Sequence, residues 1–208
     1  RAFKAVGGEP PFITRGKGCR VWDAEENEYV DYIASWGPLI LGHTHPAVVD
    51  AVNKVLVDGS SFGAPTEREI HFAEMLAERI PSIEMLRVVS SGTEATSAAI
   101  RLARGYTKRD KIVKLAGCYH GCVESLLVDA GSGIATFAIP GSPGITKGTA
   151  GDTLVAPFND IEATAEIFQK HGKEIACIIL EPVAGNMGVI PPKEGYLKAL
   201  RELCDKHG

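Results

Sequence analysis

The stretch RVVSSGTEATSAAIRLAR, Arg87 to Arg104, passes from an apolar run to a helical pattern across the turn Ser90-Ser91-Gly92-Thr93. Small and hydroxyl-bearing residues at such a junction can hold an anion. The start of a helix presents backbone N–H groups without intrahelical acceptors and carries a partial positive charge, so a phosphate fits there. Gly92 lets the backbone approach closely, and the hydroxyls of Ser91 and Thr93 add donors. The same residues have a second explanation, because Ser91 and Glu94 stand at the spacing of a capping box, which satisfies a helix terminus without any ligand. The turn by itself leaves both readings open, and it lacks the G-x-x-x-x-G-K-[ST] pattern of a P-loop.

Two further turns carry groups of similar potential. AGCYHGC follows the apolar run Ile112 to Leu115 and places Tyr119 and His120 between two glycines, where an aromatic ring can stack on a planar ligand. Taken alone, Tyr119 reads as a packing residue and His120 as a hydrogen-bonded one. IACIIL runs into Glu181-Pro182 and then VAGN, where Asn186 reads as a turn residue and Glu181 as a surface or salt-bridged carboxylate. His43 and His45 form an i, i+2 pair without other ligand types nearby, so hydrogen-bonded loop histidines are the better reading and no metal site is assigned.

Elements must place these turns together. CRVWDAEENEYVDYI predicts a hairpin from Arg20 to Ile33, and Pro46 opens a helix with Val48, Val49, Val52, Val55 and Leu56 at helical spacing. Thr66 with Glu69 caps a second helix, along which Ile70, Ala73, Leu76, Ala77 and Ile80 line one face until Pro81. From there strands and helices alternate, with apolar runs at Leu86 to Val89, Lys111 to Leu115, Leu126 to Val128 and Ile175 to Leu180, and a helix from Thr93 to Arg104. This is the rhythm of an α/β sheet with covering helices, in which ligands collect at the carboxyl ends of strands. The last segment, EGYLKALRELCDKHG, predicts a helix with Leu197, Leu200 and Leu203 on one face and Gly208 as its stop. Between Ala130 and Gly151 a long Gly-, Ser-, Thr- and Pro-rich loop reads either as a lid or as an exposed excursion.

Composition bounds the function. The 208 residues carry a net charge of -4 and scattered basic residues, so no basic field holds a phosphate backbone and nucleic acid is set aside. No apolar run reaches the length of a membrane span, and RAFKAVGGEP lacks the apolar core of a secretion signal. Five scattered cysteines, odd in number and without a C-x-x-C pair, read as free thiols in a reducing compartment. A cytoplasmic protein is expected, or a plastid one if a transit peptide has been removed.

SWGP, SFGAPTE, SSGTEATSAAIRLAR, GCYHG, AGSGIAT and EPVAGNMG, in this order along the chain, resemble the glutamate-1-semialdehyde 2,1-aminomutase family, within the class III aminotransferases of the fold type I pyridoxal-phosphate enzymes. The resemblance runs along essentially the whole chain. It implies a three-layer α/β fold with a mixed, mostly parallel sheet, incomplete at the C-terminus. Residues 1–60 would be the N-terminal segment of a small domain and residues 61–208 the first part of the large cofactor-binding domain. Ser91, Gly92 and Thr93 would hold the phosphate of pyridoxal 5'-phosphate or pyridoxamine 5'-phosphate. Tyr119 would stack on the ring with His120 beside it, and Asn186 would hydrogen-bond its phenolic oxygen. Arg1 would meet the substrate carboxylate, Trp36 and Ser132 would line that pocket, and the long loop would be a gate.

The implied reaction moves an amine within one molecule, converting glutamate-1-semialdehyde to 5-aminolevulinate for tetrapyrrole biosynthesis. A closing loop would retain the diamine formed midway, since its escape would leave the enzyme in the wrong cofactor form. Ser90 and Cys122-Val123 depart from the family pattern without removing an assigned residue, and they bear on packing around the phosphate turn and the stacked ring. The resemblance also implies that the Schiff-base lysine lies beyond Gly208, so no catalytic residue is assigned here. Lys114 and Lys147 read as surface charges, and the chain alone is expected to be inactive and to expose apolar surface. A homodimer is expected for the complete protein. An ω-amino acid aminotransferase of the same fold and a non-catalytic cofactor-binding or dimerising fragment are the alternatives.

Overall fold

Alternating β-branched and aromatic residues around tight turns build the first sheet. In the computed structural model, which describes residues 7–129, 139–141 and 143–208, β1 (Ile13–Lys17), β2 (Arg20–Asp23) and β3 (Glu28–Val30) pair antiparallel in that order. The expected hairpin is β2–β3, with Arg20 opposite Val30 and Trp22 opposite Glu28. Its turn is organised by Asp23, whose carboxylate accepts hydrogen bonds from the Glu25 and Asn27 amides, the Asn27 side chain and the Tyr29 hydroxyl, the last at 2.7 Å. The Tyr29 hydroxyl, with the Asn27 side chain, holds this carboxyl below its ordinary range.

Two helices follow. Pro46 sits at the first helical position of α1 (Pro46–Leu56), where its missing N–H costs nothing. The second helix, α2 (Glu67–Arg79), starts where expected, with the Glu69 amide donating to the Thr66 hydroxyl at 3.4 Å. Among the described residues neither helix buries a side chain, so the apolar stripe Val48, Val52 and Leu56 lies half exposed. The chain divides into two compact units, Arg1–Met75 and Leu76–Gly208, with the divide inside α2.

The second unit contains α3 (Gly92–Thr107), β4 (Lys111–Leu115), β5 (Val128–Asp129), β6 (Ile139–Pro140), α4 (Lys147–Gly151), β7 (Thr153–Ala156), α5 (Ile161–His171), β8 (Ile175–Ile179) and α6 (Tyr196–His207). The main sheet has the order β7-β4-β8 and is parallel throughout, with Leu115 opposite Ala156 and Ile112 opposite Cys177. Strand alternation then sorts side chains into two cores. Val113 and Leu115 of β4 and Leu154 and Ala156 of β7 pack with Ile167 and Phe168 of α5 and Tyr196 and Leu200 of α6. Ile112, on the opposite face, packs with Ile100 of α3 and Leu126, against Cys177 and Ile179. The result is the α/β sheet with covering helices that the alternating pattern predicted, in the three-layer form that the resemblance implied. At the amino edge of the sheet, one guanidinium nitrogen of Arg109 donates to the carbonyls of Gly172, Ile175 and His207, tying the ends of α5 and α6 to the start of β8.

Three expectations are corrected. Residues Leu86 to Val89 form no strand, because among the described residues nothing pairs with them and an apolar run becomes a strand only by pairing. Leu126 to Val128 is not one strand either: Glu124–Leu126 forms a 3-10 turn that buries Leu126, and β5 begins at Val128. On α6 the buried residues are Tyr196 and Leu200, with Leu203 and Cys204 partly buried beside them, while Leu197 points outward at 38% exposure. Conversely, β1 and β7 were not anticipated.

Leu115 is fully buried in the central strand, so in a protein containing this segment Leu115→Ala should lower unfolding free energy by about 2–5 kcal/mol. The outward-facing Leu197→Ala should cost less than about 1 kcal/mol. Equal urea midpoint shifts for the two variants would contradict this core.

Candidate functional site

Because β4 and β8 are parallel neighbours, the turns that follow them emerge at the same edge of the sheet. The first turn runs from Ala116 to Cys122. The second is a small hairpin closed by reciprocal hydrogen bonds between Ala184 and Ile190, both 2.9 Å, which carries Asn186 near its tip. The N-terminus of α3 joins the first of these turns through its hydroxyls. The Cys122 amide donates to Thr93 Oγ1 at 3.2 Å, and Thr96 Oγ1 donates to the His120 carbonyl at 2.9 Å. Gly121 is required for this approach: its φ is +83°, and a Cβ there would lie 2.2 Å from Thr93 Oγ1.

At the α3 terminus the capping box is built. The Ser91 hydroxyl accepts from the Glu94 amide at 3.2 Å and donates to Glu94 Oε2, which also receives the Ser90 amide at 2.9 Å. The Ala95 amide is bonded to the Ser91 carbonyl. Among the described residues the amides of Gly92 and Thr93 keep no acceptor of this kind, and the space beside Gly92 is open. The cap and the open amides therefore coexist: the cap uses Ser91 and the Glu94 amide, and the two preceding amides stay available to an anion.

Tyr119 is 60% exposed and, with Asn186, lines a cavity of about 210 Å³ that also includes Lys114, Gly117, Leu126 and Val128. His120 is buried at 8% exposure, and among the described residues its Nε2 has no partner. Burial, together with the positive charge of Lys114 and against the opposing Glu181 charge, holds its imidazole below the ordinary value. Burial likewise pushes the thiols of Cys118, Cys177 and Cys204 up, which keeps them protonated and unreactive.

Two residues here went unassigned in the sequence. Lys114 is no surface charge: it sits half buried on the α3 side of β4 and its ammonium donates to the carbonyls of Leu126 at 2.8 Å and Val128 at 3.2 Å. Glu181 is neither exposed nor salt-bridged in the way expected; it accepts the Tyr119 amide at 2.6 Å and the Gly185 amide at 2.7 Å. A lysine breaking the apolar run KIVKL was the available signal for the first.

The structure thus brings Thr93, Tyr119, His120 and Asn186 into one connected set of turns, with Ser91 and Gly92 at its helix terminus. Trp36 belongs to the first unit, 82% exposed in a short turn where Ala34, Ser35 and Trp36 all have positive φ. Asp31 secures that turn by accepting the Ile33 and Ala34 amides while facing His43 Nε2 at 2.7 Å. His43 holds the Asp31 carboxyl below its usual range. Arg1 and Ser132, together with most of the 130–151 loop's first half, lie outside the described residues. No helix among the described residues is long and apolar enough to cross a membrane.

The depressed His120 pKa has a direct consequence. An unfolded chain binds a proton on this histidine near pH 6.5 while the folded chain does not, so stability should fall as pH drops through about 6.5 toward the folded value. His120→Gln should remove that part of the slope, which lies below pH about 6.5. An NMR titration placing His120 above its ordinary value would contradict the assignment.

The sequence matches the Aminotransferase class-III family over residues 3–208. It is 60% identical over 208 residues to a glutamate-1-semialdehyde 2,1-aminomutase from Sulfurihydrogenibium azorense, covering 100% of this chain and 49% of the relative. Among solved structures, a transaminase with PLP bound is similar at 39% identity and a TM-score of 0.89, over 96% of this chain and 47% of that one. A glutamate-1-semialdehyde-aminomutase from Pseudomonas aeruginosa PAO1 in complex with PMP is similar at 31% identity and a TM-score of 0.84, over 95% and 43%. The chain spans about half the length of the curated relatives it matches. Matched along nearly its whole length and folded as a three-layer α/β unit with its polar turns at one sheet edge, this chain belongs to the class III aminotransferase family.

Proposed function

We propose that the protein of the relatives' full length to which this segment corresponds converts glutamate-1-semialdehyde to 5-aminolevulinate by intramolecular amino transfer, using pyridoxal 5'-phosphate and its pyridoxamine form. The observation that carries this reading is the identity of 58–60% sustained over all 208 residues to curated glutamate-1-semialdehyde 2,1-aminomutases. Tetrapyrrole biosynthesis and a cytoplasmic setting follow from that reading.

The residues present fit the cofactor. Open amides at Gly92 and Thr93, at the positive end of a 16-residue helix, suit a phosphate. Tyr119 is exposed as a flat cover for a ring, and Asn186, which lines the same cavity, offers a side-chain amide to a ring oxygen. Burial holds the His120 imidazole below its ordinary value, which favours the neutral ring beside Tyr119 in the chain. Once bound, pyridoxal phosphate supplies the electron sink for chemistry at the carbon bearing nitrogen. This chain's part is to bind and orient it. Arg1, Trp36 and Ser132 are proposed for the substrate side.

The division into a small-domain segment at residues 1–60 and the first part of a large domain at 61–208 belongs to the same proposal. So does a homodimer: the half-exposed apolar residues of α1 and α2 require cover in the complete assembly.

The complete protein, supplied with glutamate-1-semialdehyde and the pyridoxamine cofactor but no keto acid, should form 5-aminolevulinate over many turnovers. Product that appears only when a keto acid is added would instead mark an ω-amino acid aminotransferase. Tyr119→Ala should weaken cofactor binding by up to about tenfold, measured by equilibrium dialysis, through loss of ring contact.

A further inference from the structure

We propose that Glu181 is a positioning residue for this site: its carboxylate ties the Tyr119 turn to the Asn186 turn and fixes the spacing between them. The inference rests on the reading that Tyr119 and Asn186 receive the cofactor ring. Oε1 of Glu181 accepts the backbone N–H of Tyr119 at 2.6 Å, and Oε2 accepts that of Gly185, next to Asn186, at 2.7 Å. Both distances are in the short range of charge-assisted hydrogen bonds. The Gly185 bond is local, four residues along the chain, but the Tyr119 bond joins segments 62 residues apart. One side chain therefore addresses the two elements that must hold opposite parts of one planar molecule.

A second contact shows how closely the turns approach. A Cβ at Gly117, which has φ +80°, would lie 2.3 Å from Met187 Sδ. Gly117 precedes Cys118-Tyr119 and Met187 follows Asn186, so the two turns touch at a second point besides the carboxylate. Only a residue without a side chain permits that approach. The contact brings the turns together, and Glu181 aligns their backbones.

The chemistry requires a carboxylate. Both partners are N–H donors, and an ionised carboxylate offers one oxygen to each with no competing hydrogen. Glutamine has a single acceptor oxygen, so its NH2 must face one of the two amides and lose that bond. Alanine leaves both amides without a partner. Glu181 touches neither the ring nor the substrate in this account; it acts through Tyr119 and Asn186.

The test uses the complete protein, wild type and Glu181→Gln, with pyridoxal phosphate as the probe. In the wild type without cofactor, hydrogen exchange should be slow at the Tyr119 and Gly185 amides, and in the glutamine variant at least one of them should exchange faster. The variant should bind pyridoxal phosphate at least about tenfold more weakly. At saturation the circular dichroism of the bound ring should differ from wild type, a signature that a carboxylate serving only overall stability would leave unchanged. Wild-type affinity with an unaltered ring spectrum overturns the proposal. Should the variant not fold, exchange in the wild type decides: amides at Tyr119 and Gly185 that exchange at solvent rates also overturn it, and protected ones support it. Failure of the wild type to bind pyridoxal phosphate refutes the proposed function instead, and the exchange measurement, which needs no ligand, still judges the clamp.

Discussion

The parallel register of β7, β4 and β8 is the constraint on which the candidate site depends. With Ile112 opposite Thr153 and Cys177, the strands run the same way and release their following turns at one edge. The same register decides which side chains are core. A slip by one residue would send Val113 and Leu115 toward α3 and bring Ile112 and Lys114 against α5 and α6. Lys114 would then lose its two carbonyl acceptors and enter an apolar layer, a cost far above that of repacking alone. The lysine thus helps to specify the register that places the site.

At the carboxyl edge the turns are held differently from the core. Apolar packing ends at Leu115 and Ala184, both fully buried, and hydrogen bonds from named side chains take over. Thr93 and Thr96 fasten the 120–122 backbone to α3, Glu181 fastens Tyr119 to Gly185, and Lys114 fastens the 126–128 segment to β4. Each bond is directional, so the turns are fixed in orientation while their outer surfaces stay open. This leaves Tyr119 exposed beside a buried His120, an aromatic face presented by a backbone that has little freedom. A site that must orient a flat cofactor needs that combination of rigid support and accessible face.

Much of this was legible in the sequence, for physical reasons that differ by element. Pro46, Thr66, Ser91 and Glu94 mark helix starts by local chemistry, and those starts lie within one residue of where they were read. The apolar runs ahead of Tyr119 and Asn186 were legible as the strands β4 and β8, but the residues alone read as a packing tyrosine and a turn asparagine, and only the family resemblance gave them a role at a ring. Strand β7 was missed since TLVA is short and follows Asp152 without alternation, and β1 since ITRGK carries no clear pattern. Leu86 to Val89 failed in the opposite sense, having strand composition but no partner among the described residues. Glu181 could not be understood from its type alone: its role comes from a partner 62 residues away, which no local spacing reveals.

The central claim is that two sheet-edge turns and the start of α3 form one cofactor site in a class III aminotransferase. Its most direct test is a crystal structure of the complete protein grown with pyridoxal phosphate. The account predicts the phosphate on the Gly92 and Thr93 amides, the ring against Tyr119, and the ring oxygen within hydrogen-bond reach of Asn186. A phosphate bound to other groups, or a ring away from Tyr119, would contradict it.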